Sequence, residues 1–215
     1  MKKIILMIIA GTFMYSFAKA QNVTIDLREQ ALFGLKIGAN IANVYDAQGE
    51  AFRADGKFGL AGGAFVAIPI GKYLGIQPEV LYSQKGFKST GSFLGSTYSL
   101  KRTLNYIDIP ILFAVKPGEF LTIVAGPQYS YLLSQKDVFD NSLLSVAQET
   151  EFNNDNIRKN TFCFTGGFDI NVKHVVVGAR AGWDLFKNNG DGSSTTPRYK
   201  NMWYQFTVGY RLYSL

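Results

Sequence analysis

The sequence predicts an all-β protein: an eight-stranded antiparallel up-and-down transmembrane β-barrel behind a cleaved N-terminal signal peptide. Three observations predict it. From Leu32 onward apolar and polar residues alternate with a period of two, not 3.6. The alternating runs are about 10–15 residues long, close to the 9–11 a tilted membrane strand needs and well beyond the five or six of a globular strand. The connections between runs alternate short and long, the layout of barrels with tight periplasmic turns and long external loops.

Residues 1–20 read as an export signal. Lys2 and Lys3 open it, residues 4–17 form a nearly unbroken apolar run, and Ala18-Lys19-Ala20 is a small-x-small cleavage pattern before Gln21. Cleavage is expected between Ala20 and Gln21. The run is shorter than the roughly 20 residues of a spanning helix. Residues 21–31 are a polar periplasmic lead-in, and the barrel domain is expected over 32–215.

In the first strand Leu35, Ile37, Ala39 and Ile41 alternate with Lys36, Gly38 and Asn40. In the second, Phe58, Leu60, Ala64, Val66 and Ile68 oppose Gly59, Ala61, Gly63 and Ala67. The third sets Leu74, Ile76, Val80 and Tyr82 against Gln77, Glu79, Ser83 and Lys85; the fourth sets Ile107, Ile109, Ile111, Phe113 and Val115 against Arg102, Asp108 and Pro110. The fifth has Leu121, Ile123, Ala125, Tyr129, Tyr131 and Leu133 on one face, and Thr122, Gly126, Gln128 and Ser130 on the other. The sixth opposes Phe162, Phe164, Phe168 and Ile170 to Thr161, Thr165, Gly167 and Asp169. The seventh opposes Val175, Val177, Ala179, Ala181, Trp183 and Leu185 to Gly178, Arg180, Gly182 and Asp184. The eighth opposes Met202, Tyr204, Phe206, Val208, Tyr210 and Leu212 to Gln205, Thr207, Gly209 and Arg211.

Residues 70–72, 116–119 and 171–173 are hairpin-turn stretches rich in Gly, Pro, Asn and Lys. Long polar loops are expected over 43–56, 87–101, 134–160 and 188–200. That alternation puts both mature chain ends in the periplasm. A soluble eight-stranded barrel such as a lipocalin has the same strand number but turns its apolar face inward. Aromatic residues near the strand ends on the apolar face (Tyr73, Phe120, Tyr129, Trp183, Tyr204 and Tyr210 among them) favour the membrane reading, because they form interfacial girdles. Pro78, Pro110 and Pro127 fall within strands and suggest β-bulges.

Several segments resemble the PorT-like outer-membrane β-barrel family of Bacteroidota. Gly34-Leu35-Lys36-Ile37-Gly38-Ala39-Asn40 looks like that family's opening strand. Gly75-Ile76-Gln77-Pro78-Glu79-Val80-Leu81-Tyr82-Ser83-Gln84-Lys85-Gly86 is the most specific match. Tyr106-Ile107-Asp108-Ile109-Pro110-Ile111-Leu112 and Gly126-Pro127-Gln128-Tyr129 follow in the expected order. The resemblance covers about residues 32–215 and implies an eight-stranded outer-membrane barrel. The family's namesake is tied to protein secretion and gliding machinery. These motifs build the wall and carry no chemistry.

Composition excludes several function classes. One Cys cannot form a disulfide within the chain, and one Cys with one His cannot supply a clustered Cys/His metal site. The chain has 22 Lys+Arg against 16 Asp+Glu; removing Lys2, Lys3 and Lys19 with the signal leaves 19 against 16, too balanced for nucleic acid. Phosphate-loop, dinucleotide and HExxH motifs are absent from the sequence. His174, beside the turn after the sixth strand, reads as a polar turn residue, and Cys163 as a small interior filler. The oxygen-rich runs 153–156 and 188–192 lack the ordered ligands and placed Gly of a complete calcium loop.

The expected interior carries nine charges: Lys36, Glu79, Lys85, Arg102, Asp108, Asp169, Arg180, Asp184 and Arg211. An eight-stranded barrel is only wide enough for side chains to fill, so these are expected to pair as a structural plug. No catalytic residues, cofactor or metal are expected. The expectation is a non-enzymatic outer-membrane protein acting in binding or assembly through its loops or periplasmic rim, in contact with outer-membrane lipid and with an envelope protein as the partner class. A small-solute channel is the alternative, because intramembrane charges also mark ion paths; a lipid-modifying barrel enzyme is the third reading. Closure removes the sheet edges, so a monomer is expected.

Overall fold

A computed structural model describes residues 27–45, 53–93, 96–141, 144–150, 158–188 and 199–212. The signal region 1–20, most of the lead-in and the run 153–156 lie outside them, as does 188–192 beyond Asn188.

Nine strands follow a short 3-10 turn at Leu27–Glu29 among the described residues: β1 (Leu32–Tyr45), β2 (Arg53–Pro69), β3 (Leu74–Phe93), β4 (Ser96–Gly118), β5 (Leu121–Asn141), β6 (Leu144–Thr150), β7 (Asn160–Val172), β8 (Val175–Asp184) and β9 (Lys200–Leu212). Eight of them close a ring. Each pairs antiparallel with its neighbours in the order β1-β2-β3-β4-β5-β7-β8-β9, and β9 returns to β1 from Phe33↔Leu212 to Tyr45↔Lys200. The ninth, β6, pairs only with β5, above the end of β7. The argument that closure leaves no edge therefore holds for the ring but not for β6, whose far side has no strand among the described residues.

The burial pattern inverts that of a soluble protein. Lys36, Glu79, Lys85, Asp108, Asp169, Arg180 and Asp184 are buried, whereas Ile37, Phe58, Leu60, Phe113, Phe206 and Val208 are exposed. Ile37 and Phe58 each show 72% of their surface. A solvated barrel exposing so continuous an apolar wall would aggregate; in lipid the same wall is matched by acyl chains, and the closed ring satisfies every ladder group. This decides against the lipocalin-like alternative. The exposed apolar band runs from Phe33 to Ile41 on β1, from Leu74 to Tyr82 on β3 and from Tyr204 to Leu212 on β9, close to the length a tilted strand needs to cross.

Two features differ from the sequence reading. The segments 87–101 and 134–160 are not simply loops. Residues 87–93 and 96–101 continue β3 and β4 as a hairpin in unbroken register to Phe93↔Ser96, and residues 134–141 continue β5 and pair with β6. β3, β4 and β5 reach 20, 23 and 21 residues, against 10 for β8 and 13 for β9. One side of the barrel thus rises as a wall above the apolar band.

The expected bulges at Pro78, Pro110 and Pro127 do not occur. The register is the same on both sides of each, although the β3–β4 ladder skips from Pro78↔Ile111 to Leu81↔Asp108 and the β4–β5 ladder from Pro110↔Gln128 to Phe113↔Ala125. Register shifts fall instead between Gly56 and Ala61 of β2, between Val115 and Gly118 at the end of β4, and where Asn105↔Ser134 steps to Tyr106↔Leu132, leaving Leu133 as an extra residue in β5. Leu132 is buried in phase with Gln128 and Ser130 and packs with Leu104 and Tyr106; past the bulge the phase changes, and Gln135 is the buried residue.

Glycine is required where the wall curves tightly. A Cβ on Gly38 would run into the Phe206 carbonyl oxygen on β9. Gly86 has φ 130°, and a Cβ there would meet the Arg102 carbonyl oxygen.

Candidate functional site

The lumen is the one place where the fold gathers polar chemistry, and it does so in levels. In the half nearer the tight turns, Lys36 Nζ on β1 sits 2.5 Å from Glu79 on β3. Arg180 on β8 lies 2.7 Å from Asp169 on β7 and 3.9 Å from Glu79. Gln77 Nε2 donates to Glu79 at 2.9 Å and to Asp169 at 3.3 Å. These contacts join β1, β3, β7 and β8 across the lumen. The space between Lys36, Phe65, Gln77, Asp169 and Thr207 is too small for a water molecule.

In the next level Lys85 pairs with Asp108 at 3.0 Å, and its ammonium lies 3.6 Å from the centre of the Trp203 ring. Ser130 Oγ donates to Asp108 at 2.6 Å. Asp184 has no cation within ion-pair distance among the described residues. Its carboxylate instead accepts the Asn201 backbone N–H at 2.9 Å, the Asn201 amide at 2.6 Å and the Cys163 thiol at 3.1 Å. Buried anions held this way are satisfied by hydrogen bonds rather than by charge.

The nine charges are therefore not one cluster. Arg102 stands apart in the wall above the band, where it makes a two-pronged pair with Asp137 (2.8 and 2.7 Å) and donates to Tyr199 Oη at 2.8 Å. Phe87 packs edge-on against Tyr199, and with Val44 they cap the lumen at that end. Arg211 lies at the opposite end, buried, with no ion pair among the described residues and Nη2 unbonded. Below it the lead-in tucks against the barrel: Lys116 Nζ donates to the Arg28 carbonyl at 2.8 Å, and the Arg28 guanidinium lies over Tyr73.

Period-two counting missed Asp137 and Tyr199, which fall in the expected loops, Asn201, which falls between the expected last loop and last strand, and Gln77, which it placed on the inward face without a role. The signal for Asp137 was its parity with Gln135 on an extended β5.

Catalytic geometry is absent among the described residues. Cys163 is fully buried at the loop end of β7, while His174 lies past β7's other end, stacked on Tyr210 with Nδ1 2.9 Å from the Arg211 carbonyl oxygen. The sole His and the sole Cys thus sit at opposite ends. No group of three or more His, Cys, Asp or Glu placed to hold a metal occurs among the described residues.

Residues 19–188 match the family model described as outer membrane protein beta-barrel domain. Comparison with curated proteins found no match. Among solved structures the chain is similar to Ail, the attachment invasion locus protein of Yersinia pestis, at 13% identity and TM-score 0.49, covering 86% of this chain and 99% of that one. It is similar to Neisserial surface protein A at 12% identity and TM-score 0.45, covering 84% and 97%. It is also similar to the outer membrane protein OprG from Pseudomonas aeruginosa at 11% identity and TM-score 0.41, covering 87% and 99%.

Proposed function

The chain belongs to the outer membrane protein beta-barrel domain family, and from that premise we propose that it is a non-conducting, non-enzymatic barrel that works in binding or assembly through surfaces outside the lumen. One observation carries this reading: the lumen is closed at two levels by paired side chains, Lys36–Glu79–Arg180–Asp169 and Lys85–Asp108–Trp203, and capped by Phe87 and Tyr199. With the lumen filled and no catalytic set among the described residues, the parts left to act are the wall built on β3–β5, the external loops and the turn-end rim. In this reading residues 1–20 are removed after export, both mature ends lie in the periplasm, and the wall stands outside the cell. The PorT-like motifs suggest an envelope secretion component as the partner.

Planar-bilayer recording and in-cell crosslinking test this together. The purified barrel, identified by its heat-dependent gel shift, is expected to give no stable conductance and to co-purify with an envelope protein in stoichiometric amount. Stable conductance abolished by Arg180→Met would overturn the closed-lumen reading in favour of a channel.

A further inference from the structure

Above the apolar band, the outward face of β3, β4 and β5 is layered in its chemistry. The first layer is made of amides and hydroxyls. Tyr82 Oη donates to Asn105 Oδ1 at 2.9 Å, Gln84 Nε2 donates to the same oxygen at 3.0 Å, and Asn105 Nδ2 donates to Ser134 Oγ at 2.8 Å. The second layer is cationic. Lys88 and Lys101 stand directly opposite each other in the β3–β4 register, both exposed. Lys136, also exposed, lies on the same face one diagonal along, on β5.

Like charges directly opposite weaken a sheet, so folding alone gives no reason for this pair. Neither Lys88 nor Lys101 makes an ion pair among the described residues. Asp55 is the register neighbour of Lys88 on β2. One flank of the row thus carries opposing charge, and the Lys88–Lys101 centre does not. The same two lysines help push Lys57, beside the top of the band on β2, down to about 8, after burial as the larger cause. Lys88 lies about 20 Å along the strand beyond Tyr82, or about 15 Å along the membrane normal at the usual tilt. That is the depth of a lipid's sugar headgroup rather than of its acyl chains.

We propose that this face is a docking ledge for a phosphate-bearing glycolipid of the outer leaflet. The acyl chains lie against Val80, Tyr82 and Ile109, the sugar hydroxyls meet the Gln84–Asn105–Ser134 ladder, and a phosphate sits between Lys88 and Lys101. The three layers climb the strands in the order in which such a lipid presents its parts. The proposal rests on the reading that the loop end faces outward.

The test uses the full-length mature barrel in phosphatidylcholine nanodiscs doped in both leaflets with a phosphorylated short-chain lipopolysaccharide or its dephosphorylated form, with bound glycolipid counted by native mass spectrometry. The double variant Lys88→Gln/Lys101→Gln is expected to bind the phosphorylated form about 25-fold more weakly, at about fivefold per lysine. Wild type is expected to bind the dephosphorylated form as weakly as that variant binds the phosphorylated one. Lys173→Gln, at the opposite rim, controls for net charge and is expected to match wild type. Equal binding by wild type and the double variant, or no preference for phosphate, would overturn the ledge. Because both leaflets are doped, this result is independent of orientation. Orientation is read separately from labelling of Thr90→Cys by an impermeant maleimide on intact cells. Failure to label would overturn the outward reading and, with it, the outer-leaflet source.

Discussion

Lys85 holds its ammonium 3.6 Å from the centre of the Trp203 ring, tying β3 to β9 across a lumen whose wall sets two strands, β2 and β1, between them. The same ammonium pairs with Asp108 on the neighbouring β4. One side chain thus closes the lumen in two directions.

Lys85→Met is expected to destabilise the barrel by about 3–5 kcal/mol, because it leaves the Asp108 carboxylate buried without a cation. Lys85→Met/Asp108→Asn is expected to recover most of that loss. Urea unfolding of the refolded barrel measures both, and equal costs for the single and double variants would show that the pair is not coupled.

Ile37 sits mid-strand on the exposed face of β1. Ile37→Arg is expected to cost about 2–4 kcal/mol in a bilayer, the penalty of a guanidinium near the midplane of a barrel's lipid face. An effect near zero in lipid vesicles would mean that this face does not meet acyl chains.

Gly38→Val should disrupt closure between β1 and β9, since the added Cβ meets the backbone of Phe206 and Thr207. A cost of at least about 1–3 kcal/mol is expected for forced overpacking. Loss of the heat-dependent gel shift reports it. A variant that refolds with wild-type yield would contradict the close approach of the two strands.

Lys57 lies just outside the membrane band and is pushed down to about 8, first by burial and then by repulsion from Lys101 and Lys88. The folded chain therefore releases this proton before the unfolded chain does. Its contribution is unfavourable below about pH 8 and is relieved as pH rises toward the unfolded value near 10.5. Wild type should gain stability relative to Lys57→Gln between pH 7 and pH 10. Parallel pH profiles for the two would show that Lys57 is not under this stress.

The ring was legible because lipid enforces it. Along Leu35, Ile37 and Ile41, or Phe206, Val208 and Tyr210, every second residue faces acyl chains, and the period survives unbroken. It fades where β3 and β4 leave the membrane. In 87–101 the outward positions meet water, so Lys88, Ser99 and Lys101 carry no apolar signal, and an extended hairpin reads as a polar loop. The bulge at Leu133 was hidden for another reason: an extra residue shifts parity by one, and with leucine at both 132 and 133 either phase looks apolar. Parity alone puts the charges Lys36, Glu79, Lys85, Asp108, Asp169, Arg180 and Asp184 on the face that is buried in the folded chain. Parity does not say at what height they lie, so Arg102 and Arg211 were grouped with residues on other levels. The prolines misled because a lost ladder donor interrupts pairing without adding a residue, so the register is kept across Pro78, Pro110 and Pro127.

The unequal height of the strands gives the molecule a heading. A barrel of even rim looks the same from every side, and turning it about the membrane normal changes nothing for its neighbours. Here β3, β4 and β5 stand tall while β8 and β9 stop near the band. The protein therefore has a front and a back within the plane of the sheet of lipid it floats in. A neighbour diffusing in that plane meets long strands from one quarter and short ones from the other, so lateral encounters with the β-sheet are sorted by azimuth before any specific contact forms.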